Sequence, residues 1–91
     1  MAGFTATVHG IVQGVGFRYY VRRRAKELGI CGHVRNMPSG TAVEVVAEGE
    51  RAGLNKLVKL LQAGPPMSRV DKMDIEWLQY KNAFTGFDIL F

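Results

Sequence analysis

Apolar and polar side chains alternate at the start of the chain, with Phe4, Ala6 and Val8 set against Thr5, Thr7 and His9. A period of two places successive side chains on opposite faces of a strand, so residues 3–12 read as half-buried β structure. The period then lengthens. Phe17, Val21, Ala25 and Leu28 recur at helical spacing, while Arg22, Arg23, Arg24, Lys26 and Glu27 fall largely off that stripe. Gly29 supplies a helix stop. Ile30 to Met37 reads as a second strand, Pro38-Ser39-Gly40 as a turn, and Thr41 to Glu48 as a third strand closing a hairpin. Leu54, Leu57, Val58 and Leu61 define a second amphipathic helix across 50–63. Gly64-Pro65-Pro66 ends it, because proline brings no donor and restricts the residue before it. Met73, Ile75 and Trp77 alternate with Lys72, Asp74 and Glu76 as a fourth strand, and Phe87, Ile89 and Phe91 alternate as a short fifth.

The order β-α-β-β-α-β plus a terminal strand predicts a ferredoxin-like α/β sandwich. Two crossover helices of this length pack on one face of a mainly antiparallel sheet of four to five strands. Residues 1–91 are expected to form a single domain, large enough for a core and too small for two. No repeat, linker or low-complexity tract interrupts the pattern.

Composition narrows the partners. Twelve Lys and Arg stand against eight Asp and Glu, for a net charge of +4. That balance favours anions without choosing between a small phosphate and a nucleic acid. No apolar run approaches the ~20 residues of a membrane span. The N-terminus lacks the basic start and long apolar centre of a secretory signal. Cys31 stands alone, so no internal disulfide forms, and a cytoplasmic location is expected. His9 and His33 are too few for a metal site, no Cys/His or Asp/Glu cluster has ligand spacing, and neither metal nor cofactor is expected.

The candidate chemistry sits between the first strand and the first helix, where Val8 to Arg18 reads V-H-G-I-V-Q-G-V-G-F-R. Glycines at 14 and 16 let the backbone curl until several amide N–H groups face inward, and the helix N-terminus adds its dipole. Arg18 at the lip offers a planar fork for phosphate oxygens that lysine does not match. Three look-alikes fail. A P-loop needs Gly-Lys-Ser/Thr, and here Phe17 and Arg18 follow Gly16. A dinucleotide fingerprint begun at Gly14 needs a glycine where Tyr19 stands. The aromatic motif of RNA-binding RRM domains begins with a base and lies on a central strand, whereas Q-G-V-G-F-R-Y-Y falls between a strand and a helix.

A second segment, G-H-V-R-N from Gly32 to Asn36, precedes the hairpin turn. Asn36 carries an amide that accepts through its oxygen and donates through its nitrogen. Alone it reads as a turn residue; beside an anion cradle it becomes a candidate for handling water. Cys31 lacks a neighbouring base, the Arg22–Arg24 run reads as a solvated helix face, and Trp77 reads as core.

These residues bear a family likeness. V-H-G-I-V-Q-G-V-G-F-R closely resembles the first signature of the acylphosphatases, and G-H-V-R-N followed by a glycine-containing turn resembles the second. The likeness spans the chain, through V-E-V-V-A-E-G-E, G-P-P and the closing F-D-I-L-F. His33 stands where the family usually has an aromatic residue, and the segment from Gly40 to Val43 is one residue longer than the usual pattern. The resemblance implies a ferredoxin-like fold and metal-free hydrolysis of carboxyl–phosphate anhydrides. By position it implies Arg18 as the phosphate-binding catalytic arginine and Asn36 as the residue that orients water. The amides of Gln13, Gly14, Val15, Gly16 and Phe17 would form the phosphate cradle.

The chemistry agrees. An acyl phosphate leaves as a carboxylate whose conjugate acid has a pKa of about 4, so no general acid is needed. Positioning and charge stabilisation then do most of the work. The expected partners are a small-molecule acyl phosphate and inorganic phosphate, with no membrane and no nucleic acid, and the chain acting as a monomer. A 91-residue length favours a free-standing enzyme over a carbamoyl-phosphate-processing domain of a larger maturation enzyme. The rival classes are a non-catalytic phosphate-binding module and a nucleic-acid-binding module on the same fold.

Overall fold

Burial in the strands follows the period of two, and the pairing register collects the apolar positions on one side. Strand β1 (Ala2–Ile11) sits between β3 (Ala42–Gly49) and β4 (Arg69–Leu78), antiparallel to both. Phe4 lies opposite Ala47 and Trp77, Ala6 opposite Val45 and Ile75, and Val8 opposite Val43 and Met73. Strand β2 (Cys31–Asn36) runs antiparallel to β3 and sets Val34 beside Val45. Strand β5 (Phe87–Leu90) is parallel to β2 and completes a five-stranded sheet of order β4-β1-β3-β2-β5. The computed structural model describes all 91 residues.

Two helices cover the apolar face. Helix α1 (Phe17–Glu27) buries Phe17, Val21 and Ala25, and α2 (Arg51–Ala63) buries Leu54, Leu57 and Leu61. These six join the strand residues in one core of 16 buried side chains. Tyr20 on α1 donates its hydroxyl hydrogen to the Leu60 carbonyl of α2 at 2.8 Å, which fixes one helix against the other. The architecture is the ferredoxin-like α+β fold, with the sheet at its full five strands.

Strand β4 is longer than its alternation reveals, because Val70 and Arg69 pair with Gly10 and Ile11 beyond a register shift at His9/Gly10. An irregularity of this kind inserts an unpaired residue and breaks the simple inward–outward pattern. Phe91 was expected to close the fifth strand, but β5 stops at Leu90.

The opposite face of the sheet is polar, with Thr5, Thr7, Asp74 and Glu76 in register and Arg35 donating to Glu44 at 2.8 Å. Residues 79–86 connect the two sheet edges across this face. Glu48, 7% exposed, accepts the backbone N–H groups of Lys81 and Ala83, each at 2.8 Å. His33 packs edge-on against Phe84, with ring centroids 5.5 Å apart. Glu48→Ala removes the acceptor of two strap N–H groups and should lower the unfolding free energy by about 1–3 kcal/mol in urea titrations. An unchanged midpoint would show that the strap is held by packing alone.

Candidate active site

An α-helix leaves its first N–H groups without intrahelical acceptors, and the start of α1 leaves them accessible. No side-chain cap closes this end, and no acidic residue occupies the first turn. Upstream, Val12 is buried at 1% exposure and anchors the end of β1 in the core. The chain then turns through Gly14 (φ 75°) and Gly16 (φ 78°), the second serving as the N-cap of α1. Left-handed backbone costs an L-residue roughly 1–2 kcal/mol. An added Cβ at either position meets no atom within 4 Å, so backbone conformation rather than space calls for glycine. Such turns aim successive N–H groups into a common concavity, and the helix dipole adds positive potential there.

Phe17 is buried, which anchors the first turn of α1 in the core, and Arg18 follows it in that turn. The Arg18 guanidinium carbon stands 4.9 Å from the centroid of the Phe91 ring. Because β5 is parallel to β2 and packs beside α1, the last residue of the chain reaches the helix start. A cation over an exposed ring gains about 0.5–1 kcal/mol. A hydrogen bond to a charged oxygen gains about 1.5–3 kcal/mol. The ring contact is thus the weaker of the two and leaves the Arg18 guanidinium free to exchange it for a charged oxygen. Nothing in the local sequence announces this contact, since the two residues lie at opposite ends of the chain.

Asn36 ends β2 opposite Val43. Its Oδ1 is buried and has no hydrogen-bond partner in the protein. Burying an unpaired acceptor costs about 1–3 kcal/mol, so a donor from outside the protein's own side chains and backbone would be stabilised there. Gln13 joins this strand end to the glycine loop. Its Nε2 donates to the Met37 carbonyl at 2.8 Å and to the Ala42 carbonyl at 2.9 Å. The structure thus gathers Gln13, the glycine turn, Arg18 and Asn36 at one end of the sheet. Sequence reading singled out Gln13 for its main-chain amide and missed its side chain.

Other chemistry-bearing residues lie apart. His9 Nε2 pairs with Asp74 Oδ2 at 3.1 Å on the polar face, and Cys31 is a half-buried free thiol. No three His, Cys, Asp or Glu side chains come together as a metal site, and no helix is long and apolar enough to cross a membrane. The two helices carry Arg18, Arg22, Arg23, Arg24, Lys26, Arg51, Lys56 and Lys59 against a single acid, Glu27. The positive charge of the molecule is therefore concentrated on the layer that opens onto the cradle.

A family model described as Acylphosphatase matches residues 4–89. An acylphosphatase of Caldivirga maquilingensis is 48% identical over 82 residues, 90% of this chain and 86% of that protein. One from Thermobifida fusca is 48% identical over 84 residues, 92% of this chain and 91% of its own length. The crystal structure of an acylphosphatase from Bacillus subtilis matches with a TM-score of 0.95 at 33% identity, covering 100% of both chains.

Gly16→Ala places an L-residue at φ 78° with room for its methyl group. It should fold and lose about 1–2 kcal/mol in urea unfolding, the cost of left-handed backbone. A neutral substitution would mean that the loop relaxes freely into another conformation.

Proposed function

The chain belongs to the acylphosphatase family, and from that premise we infer a division of labour among its site residues. The enzyme hydrolyses a small-molecule acyl phosphate to a carboxylate and inorganic phosphate. The main-chain amides of Gln13, Gly14, Val15, Gly16 and Phe17, with the Arg18 guanidinium, hold the phosphoryl oxygens. Asn36 holds the attacking water. The observation that supports this most directly is the buried, unpartnered Oδ1 of Asn36, on a strand end tied to the cradle through Gln13.

In this reading Asn36 Oδ1 accepts one hydrogen of the water and leaves the oxygen lone pair facing phosphorus. The water oxygen bonds to phosphorus as the bond from phosphorus to the acyl oxygen breaks. The bonding pair departs with the carboxylate. Because that carboxylate is a weak base, with a conjugate-acid pKa of about 4, it leaves unprotonated. The proton lost by the water moves to a phosphoryl oxygen of the substrate, so no side-chain base takes part. Negative charge redistributes over the phosphoryl oxygens in the transition state, and fixed donors that already point there stabilise it without reorganising. The substrate supplies both the good leaving group and the proton acceptor.

All these groups come from one chain, which supports action as a monomer. Neither metal nor cofactor is assigned a role. Arg18→Ala is expected to lower kcat/KM for acetyl or benzoyl phosphate by at least ~10²-fold. Arg18→Lys should recover little, since an ammonium cannot grip two oxygens as a planar fork does. Phosphate release in the presence of a chelator, with a phosphate monoester as control, measures both. Near-normal turnover in Arg18→Ala overturns the assignment. Asn36→Ala should lower kcat and leave inhibition by inorganic phosphate nearly unchanged. Loss of phosphate affinity with kcat preserved would exchange the two roles.

A further inference from the structure

We propose that the Gln13 side chain is a positioning residue, a brace that fixes Asn36 relative to the phosphoryl cradle. The inference rests on the reading of Asn36 as the group that holds the water. A primary amide has two N–H donors. Both of Gln13's are engaged by carbonyls of the β2–β3 hairpin, Met37 at 2.8 Å and Ala42 at 2.9 Å. These partners lie 24 and 29 residues away, so the contact is a tie between separate parts of the fold.

The tie falls where the hairpin needs it. The β2–β3 ladder ends at the pair Asn36–Val43. Beyond it, Met37 N–H donates to Ala42 at 3.0 Å and Gly40 N–H to Met37 at 3.2 Å. The Gly10 N–H, at the end of β1, donates to Thr41 at 2.9 Å. The Ala42 carbonyl thus accepts from Met37 and from Gln13 together, so Gln13 closes the mouth of the hairpin from the side of the cradle. Asn36 immediately precedes the braced Met37. With no protein partner on its Oδ1, its position depends on the backbone that carries it. Gln13 therefore joins the first residue of the cradle to the residue after the water holder. The brace sets the separation between phosphorus and the attacking oxygen, and a misplacement of 1 Å there costs on the order of 10²-fold in rate.

The test is a double-mutant cycle on acetyl phosphate hydrolysis, with inorganic phosphate as competitive inhibitor. Gln13→Met keeps an unbranched side chain and removes both donors. Gln13→Leu also removes both donors with an uncharged side chain of similar size, and gives a second reading where Gln13→Met fails to fold. Either should lower kcat by about tenfold or more and leave the phosphate inhibition constant within about threefold, because the main-chain amides persist. In an Asn36→Ala background the same change should cost less than about twofold, since the residue it positions is gone. A full loss in that background, or a rise in the phosphate inhibition constant parallel to the fall in kcat, overturns the brace. So does normal kcat in both variants. Asn36→Ala alone separates the two readings. Normal kcat there removes the water-holding role and the brace with it, whereas a low kcat without coupling to Gln13 removes the brace only.

Discussion

A helix cannot satisfy its own first N–H groups, and the proposed function turns on that deficit at the start of α1. The two left-handed glycines bring the chain into α1 through a tight turn of the kind that can cradle an anion. No side-chain cap and no first-turn acid occupies that helix start, so no internal side chain competes there for the anion that the proposed function assigns to it. Gly14 and Gly16 supply the curvature, Phe17 anchors the helix start in the core, and Arg18 follows at the rim. A cradle of this proposed kind needs little chemistry from its side chains, because its donors belong to the backbone, whose orientation the fold fixes.

Topology supplies what the loop cannot. With β1 between β3 and β4, the loop that leaves β1 emerges beside the end of β2 and the start of β3. That neighbourhood brings Asn36 to the cradle and lets one glutamine amide span the two. On the far side, the parallel pairing of β5 with β2 delivers Phe91 to the Arg18 guanidinium. The same crossover explains the strap, whose backbone donors end on the buried carboxylate of Glu48. The two ends of the sheet thus differ: one gathers Gln13, Arg18 and Asn36, and the other fastens a connection.

The reaction suits so spare a site. An acyl phosphate has a leaving group that needs no acid and phosphoryl oxygens that can receive the water's proton, so what remains is orientation and charge. In the proposed division of labour, orientation falls to Asn36 and the elements that hold it, and charge to the amides, Arg18 and the basic helical layer. A phosphate monoester, whose alkoxide leaves far less readily, would find no such help.

Periodicity along the chain determined the elements and their order. Alternation at Phe4–His9 and helical spacing at Phe17–Leu28 and Leu54–Leu61 report burial directly, because a side chain's face follows from its position in a local repeat. The glycine loop was legible for a related reason, since left-handed curvature is a local demand that few residues meet. Arg18 and Asn36 were legible as candidates beside that loop, and the resemblance of the motifs to a family then implied their roles. Other features were decided only by the tertiary structure: the parallel fifth strand, the extension of β4 beyond its register shift, Phe91 against Arg18, and the two hydrogen bonds of the Gln13 amide. Each joins groups far apart in sequence, and a hydrogen bond or ring contact between distant groups leaves no period in the chain that makes it. Local order is written residue by residue, whereas coupling across the fold exists only once the strands have paired.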